Sequence, residues 1–178
     1  MNRNLILVGI SLFFWGIGEG FFLIFQPLYL QELGASPVLI GTILGAMGIA
    51  MAVLQIPAGY LTDKVGPRPV MWASWVLGSS AAWVMALSSG LSMFIIGLFL
   101  YGMTSFVIAP MNAYISSVRG GLSVGRALTF ISAIYNFGAV LGPIAGGYIG
   151  EHFGLKNTFV IGAVVFIIST AVIFLVKP

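Results

Sequence analysis

Six apolar runs divide this chain, over residues 5–26, 38–61, 70–87, 91–114, 127–149 and 158–176, with short connections between them. Each is close to the roughly 18 to 25 residues that cross ~30 Å of hydrocarbon. Lipid leaves no water for unpaired backbone N–H and C=O groups, so such segments form helices or closed barrels. Runs this long without period-two alternation are helices rather than barrel strands. The expected fold is an all-α membrane protein, one domain of six transmembrane helices over residues 1–178.

Composition agrees with the segmentation. The chain is 60% hydrophobic and 6% charged, whereas a soluble domain carries about 25% charged residues. The first run, about 22 residues long, has no small-residue cleavage site and exceeds a signal-peptide core, so it is expected to remain a helix. The net charge of +3 comes from seven basic residues scattered at the ends of apolar runs. They form no basic patch, so nucleic acid is not an expected partner. Cysteine is absent, which removes disulfides and Cys-ligated metals. No catalytic constellation, metal site or cofactor is expected, and no enzyme activity.

The basic residues also set the topology. With alternating helices, Arg3, Lys64, Arg68, Arg119, Arg126 and Lys177 fall on one side and only Lys156 on the other. Because Lys and Arg accumulate in cytoplasmic loops, both termini are expected in the cytoplasm of a multi-pass protein of the cell (inner) membrane.

Between the second and third runs, Gly59, Asp63, Gly66 and Arg68 follow the order G-x-x-x-D-x-x-G-x-R. In the fifth run Gly138, Gly142, Pro143 and Gly146 belong to a G-x-x-x-G-P-x-x-G-G stretch, whose Pro is expected to kink the helix. Both patterns resemble signatures of major facilitator superfamily transporters, the second typical of antiporter branches. The resemblance covers the whole chain and corresponds to the N-terminal half of a fold built from two six-helix halves. It implies that Asp63 and Arg68 form a cytoplasmic gate, with Arg119 and Arg126 as the nearest cations for Asp63. It also implies that the second and fifth helices meet their counterparts in another six-helix unit. The glycine rows Gly41, Gly45, Gly48 and Gly138, Gly142, Gly146 lie on those two helices, and small residues four apart allow close helix approach. The expected partner is a second copy of the chain or a separate C-terminal half. One departure is the fourth helix, where the family often carries an Arg and this chain has none.

Glu19 is the one charge inside a span, roughly 21 Å along the helix from Leu5. Intramembrane carboxyls usually face protein or a water-filled cavity, and Trp15, Glu19, Phe22 and Gln26 share a helical face. The fourth run places Tyr101, Ser105, Ile108 and Asn112 on one stripe, with Pro110 interrupting its backbone ladder. The fifth places Thr129, Ser132 and Asn136 together. Trp15, Gln26, Tyr101, Ser105, Asn112 and Asn136 are expected to line a cavity beside Glu19. Trp72, Trp75 and Trp83 read as interfacial anchors, Glu151 and His152 as a solvated pair, and the uniformly apolar sixth helix as lipid-facing. Two functions fit. One is a transporter half moving a neutral or cationic organic solute by alternating access, with Glu19 as the group for proton-coupled antiport. The other is a non-transporting truncated or assembly subunit of a membrane complex.

Overall fold

A computed structural model describes residues 2–177, all of which fall in helices or short joints between them. Met1 and Pro178, the ends of the expected 1–178 unit, lie outside the described residues. The first rod is α1 (Arg3–Phe22) followed by a turn and α2 (Gln26–Glu32); next come α3 (Pro37–Val65) and α4 (Pro67–Ala86). The fourth rod is α5 (Leu91–Met103), a 3-10 turn (Thr104–Val107) and α6 (Ile108–Ser117), and the chain closes with α7 (Val124–Phe153) and α8 (Leu155–Phe174). Each of the six apolar runs is thus occupied by helix.

Five rods are long and apolar enough to cross a membrane: Arg3–Glu32, Pro37–Val65, Leu91–Ser117, Val124–Phe153 and Leu155–Phe174. The remaining rod, α4, has 20 residues, but its serines, prolines and tryptophans lower its hydropathy. Local chemistry sets the ends. Ser36 and Ser123 cap α3 and α7, accepting from the backbone N–H of Leu39 and Arg126 at 3.3 Å. The break in the fourth rod has its cause in Pro110, which offers no N–H to the turn before it. Within the 3-10 turn the Thr104 carbonyl accepts from the Ser74 hydroxyl of α4 at 3.0 Å, which ties the break to its neighbour. Pro143 does not interrupt α7, which runs as one helix from Val124 to Phe153.

α1 is the central rod, packed along α7 and α8, while α4 joins α8 to α5 and α3 lies outermost against α5 and the 3-10 turn. A polar knot ties α1, α4 and α8. The Ser11 and Ser169 hydroxyls lie 3.0 Å apart, and the Trp75 indole N–H donates to them at 2.9 and 3.0 Å. Two expectations are corrected here. Trp75 is 1% exposed and is a core residue rather than an interfacial anchor, because two serines on neighbouring helices satisfy its N–H. α8 does not face lipid all round, since Phe159, Ala163, Phe166, Ser169 and Ile173 are buried against α1 and α4.

Candidate functional site

Glycines bring the site's helices together. A Cβ on Gly16 would strike the Tyr135 carbonyl oxygen, and one on Gly138 or Gly142 would strike the backbone oxygens of Phe13 or Ile17. α1 and α7 therefore run in backbone contact, which sets Tyr135 beside Glu19. The row Gly138, Gly142, Gly146 is used inside the chain against α1, so the expectation that it is left open for a second unit is corrected. The α3 row behaves otherwise, as Gly41, Gly45 and Gly48 have nothing within 4 Å.

On the other side of Glu19, Gly78 of α4 leaves room for the Trp15 ring. The Tyr101 ring from α5 lies between Trp15, stacked with centroids 6.2 Å apart, and Phe22, met edge-on at 4.8 Å. Its hydroxyl donates to Glu19 Oε1 at 2.8 Å. The Tyr135 hydroxyl from α7 donates to Oε2. Each carboxylate oxygen thus receives a phenol from a different helix. Both oxygens of this carboxyl are therefore hydrogen-bonded, as a polar group buried away from water requires.

The carboxyl and its two phenols stand in the wall of a cavity of about 420 Å³. α1 contributes Leu12 and Trp15, the turn after it Leu23, α3 Met47 and Met51, and α4 Trp75. Thr104, Ser105, Ile108 and Met111 close it from the fourth rod, with Ile131 and Ser132 from α7. Apart from Glu19, no charged residue lines it. Among the described residues no group of three His, Cys, Asp or Glu side chains converges as a metal site would.

Of the expected cavity residues, Trp15, Tyr101 and Ser105 line it together with Glu19. Gln26, Asn112 and Asn136 do not. Gln26 is 2% exposed beyond the α1–α2 turn, with its Nε2 unpartnered. Asn112 and Asn136 are exposed, one turn beyond the lining residues Ile108 and Ser132 on the same helix faces, and Asn136 Nδ2 donates to the Ser132 carbonyl of its own helix at 2.7 Å. Tyr135 escaped the sequence reading. Its signal was the spacing Ile131, Tyr135, Gly138, Gly142, one face of α7 shared with the glycines.

At the end holding the N-terminus, Asp63 is exposed near the close of α3. Gly66, at φ 85° and ψ 163°, turns α3 directly into α4, a conformation other residues rarely adopt. Gly59 meets nothing within 4 Å. The expected pairing of Asp63 with Arg119 or Arg126 is not formed among the described residues. Arg119 Nη1 instead donates to the Ser116 carbonyl at 2.9 Å, and Arg126 is exposed. Arg68 stacks over Trp72, 4.1 Å from the ring centroid.

Five helices long and apolar enough to cross a membrane make this an integral multi-pass membrane protein. A sequence model of the Major Facilitator Superfamily matches residues 8–178, and the chain belongs to that family of transporters. Over 160 residues it is 27% identical to an uncharacterized MFS-type transporter of Methanocaldococcus jannaschii, a match taking in 89% of this chain and 42% of the relative. Over 152 residues it is 24% identical to the quinolone resistance protein NorA of Staphylococcus aureus, covering 85% of this chain and 39% of that one. Among solved structures, the Escherichia coli fucose:proton symporter FucP superposes with a TM-score of 0.82 at 14% identity, over 99% of this chain and 43% of the symporter. The human organic anion transporter MFSD10 gives 0.77 at 18% identity, over 99% and 47%. These likenesses carry the fold. The chain spans about two fifths of the length of the curated relatives it matches.

Proposed function

We propose that the chain is one six-helix half of a secondary-active transporter, with all six rods spanning the cell (inner) membrane and both termini cytoplasmic. It moves a neutral or cationic organic solute by alternating access, and Glu19 couples that movement to proton antiport. The observation that carries this reading is a single carboxyl, held by Tyr101 and Tyr135, in the wall of an otherwise uncharged cavity. A solute cation and a proton compete for such a group, which is the requirement for exchange. The apolar, methionine-bearing wall suits a lipophilic solute, since thioether side chains adapt to varied shapes. Relatedness to a quinolone resistance protein is in keeping with that class. Uptake of lipophilic cations into proteoliposomes, with and without a pH gradient, tests the reading; accumulation indifferent to the gradient counts against coupling.

The second half of the transporter is a further six-helix unit of the same fold. It covers α3, where only Ile43 and Ala58 are buried, and the outer face of α7, where Phe137, Val140 and Ile144 are exposed. Replacing Gly45 by Leu is expected to leave the bundle folded, because open space receives the side chain, but to weaken association. Cross-linking yield between units checks this, and an unchanged yield excludes the α3 row from the interface.

Asp63 acts as a cytoplasmic gate through a helix N-terminus of the other unit. A carboxylate in that position contributes about 0.3–1 kcal/mol when exposed and up to ~2 when partly buried, enough to bias two access states near balance. Asp63→Asn is expected to keep the fold and shift the assembly toward cytoplasm-open forms. Accessibility of a cysteine introduced in the cavity wall should rise from the cytoplasmic side; if it does not, Asp63 is no gate.

A further inference from the structure

The joint at residues 59–68 has a twin. Residues 59–68 read Gly-Tyr-Leu-Thr-Asp-Lys-Val-Gly-Pro-Arg, and residues 147–156 read Gly-Tyr-Ile-Gly-Glu-His-Phe-Gly-Leu-Lys. Both glycines, the tyrosine, the acid and the final base recur in register, and His152 takes the place of Lys64.

The backbone repeats as well. Gly66 has φ 85° and ψ 163°, Gly154 has φ 89° and ψ 149°, and each alone joins a long helix to one of 20 residues. Side chains follow suit. Lys64 Nζ lies 4.4 Å from the Tyr60 ring centroid, and the His152 ring stacks on Tyr148 with centroids 4.2 Å apart. Tyr60 and Tyr148 are 63% and 62% exposed. In both copies the group after the acid is thus laid back along its own helix, and the acid itself, Asp63 or Glu151, stays exposed.

The copies sit at opposite ends of the bundle. Arg68 and Trp72 lie by the end of α8, where the Trp72 indole donates to the Ile173 carbonyl and Lys177 is held by Asn4. Residues 147–156 lie at the far end of α1, where Gly146 faces Phe21 and Phe25.

We infer that residues 147–156 form a second gate, built on the plan of residues 59–68 and closing the other side of the membrane through Glu151. This rests on the gate reading of Asp63. Two joints of one design at opposite ends give alternating access a latch for each state: the half that swings shut at one end releases the acid at the other.

The chain has no cysteine, so a single thiol at Ser132 in the cavity wall reports access without background. It is labelled with a membrane-impermeant maleimide in right-side-out and inverted vesicles. Glu151→Gln should raise labelling from the outer side roughly two- to five-fold, the range of one exposed charge at a helix terminus, and Asp63→Asn should do the same from the inner side. His152→Lys, which completes the match to residues 59–68, should lower outer labelling. Glu151 is exposed, so a melting temperature equal to the parent's confirms that the variant is folded. A response to Asp63→Asn with none to Glu151→Gln overturns the second gate and leaves the first. A response to Glu151→Gln alone supports the outer gate and overturns the reading of Asp63. Silence from both overturns both.

Discussion

Gly142→Leu is expected to prevent the bundle from folding, whereas Gly45→Leu leaves it intact. The two positions look alike in sequence, each within a glycine row on a long apolar helix. They differ in what stands opposite. A Cβ at Gly142 would meet the Ile17 carbonyl oxygen and lie 2.7 Å from Gly20 Cα, while nothing lies within 4 Å of Gly45. Overpacking against movable side chains typically costs about 1–3 kcal/mol. Here the obstacle is backbone of α1, the central rod, so relief requires α1 and α7 to part and Tyr135 to leave Glu19. Thermal unfolding in detergent should show Gly142→Leu aggregated or melting far below the parent. Equal melting of the two variants would mean that α1 and α7 are not in backbone contact.

Glu19→Gln is expected to abolish gradient-driven transport while sparing insertion and folding. Glutamine keeps the length of the side chain and one acceptor oxygen, so a tyrosine bond survives at that atom. Its amide nitrogen is a donor, so the other phenol loses its acceptor, and the group has no proton to exchange. Flux with a pH gradient should fall to the level seen without one. Tyr101 still packs between Trp15 and Phe22, which is why stability should change little. Gradient-driven flux that persists in Glu19→Gln would make the carboxyl structural.

The six rods were legible because lipid permits few backbone solutions and long apolar runs select the helix among them. Glu19 was legible because a charge inside a span stands out. The faces of the helices were harder to read. α8 carries only a few polar residues among many apolar ones, so little periodicity marks the stripe that packs on α1 and α4. Trp75 looks like an anchor until Ser11 and Ser169, distant in sequence, prove to meet its indole N–H. Asn112 and Asn136 drew attention as polar groups in apolar runs, yet they stand one turn beyond the lining residues Ile108 and Ser132 and are not part of the cavity wall. Tyr135 lay one residue from Asn136 and was passed over for it. Glycine rows misled in the opposite sense, since spacing announces close packing without naming the partner: α7 spends its row on α1, and α3 leaves its row open. The repeat of residues 59–68 at 147–156 was present in the sequence from the start, and the matching glycine dihedrals and ring pairs give it physical meaning.

If a solute cation and a proton exchange at Glu19 as proposed, binding of one expels the other. Proton release on solute binding tests it most directly. The chain, together with its second six-helix unit, is equilibrated in weakly buffered detergent solution at a pH where the cavity is loaded, and a lipophilic organic cation is added while pH is followed. Exchange at Glu19 should release protons in a manner that saturates with the cation and vanishes in Glu19→Gln, with cation binding retained in both. Binding without release in the parent protein, or equal release from Glu19→Gln, would contradict it.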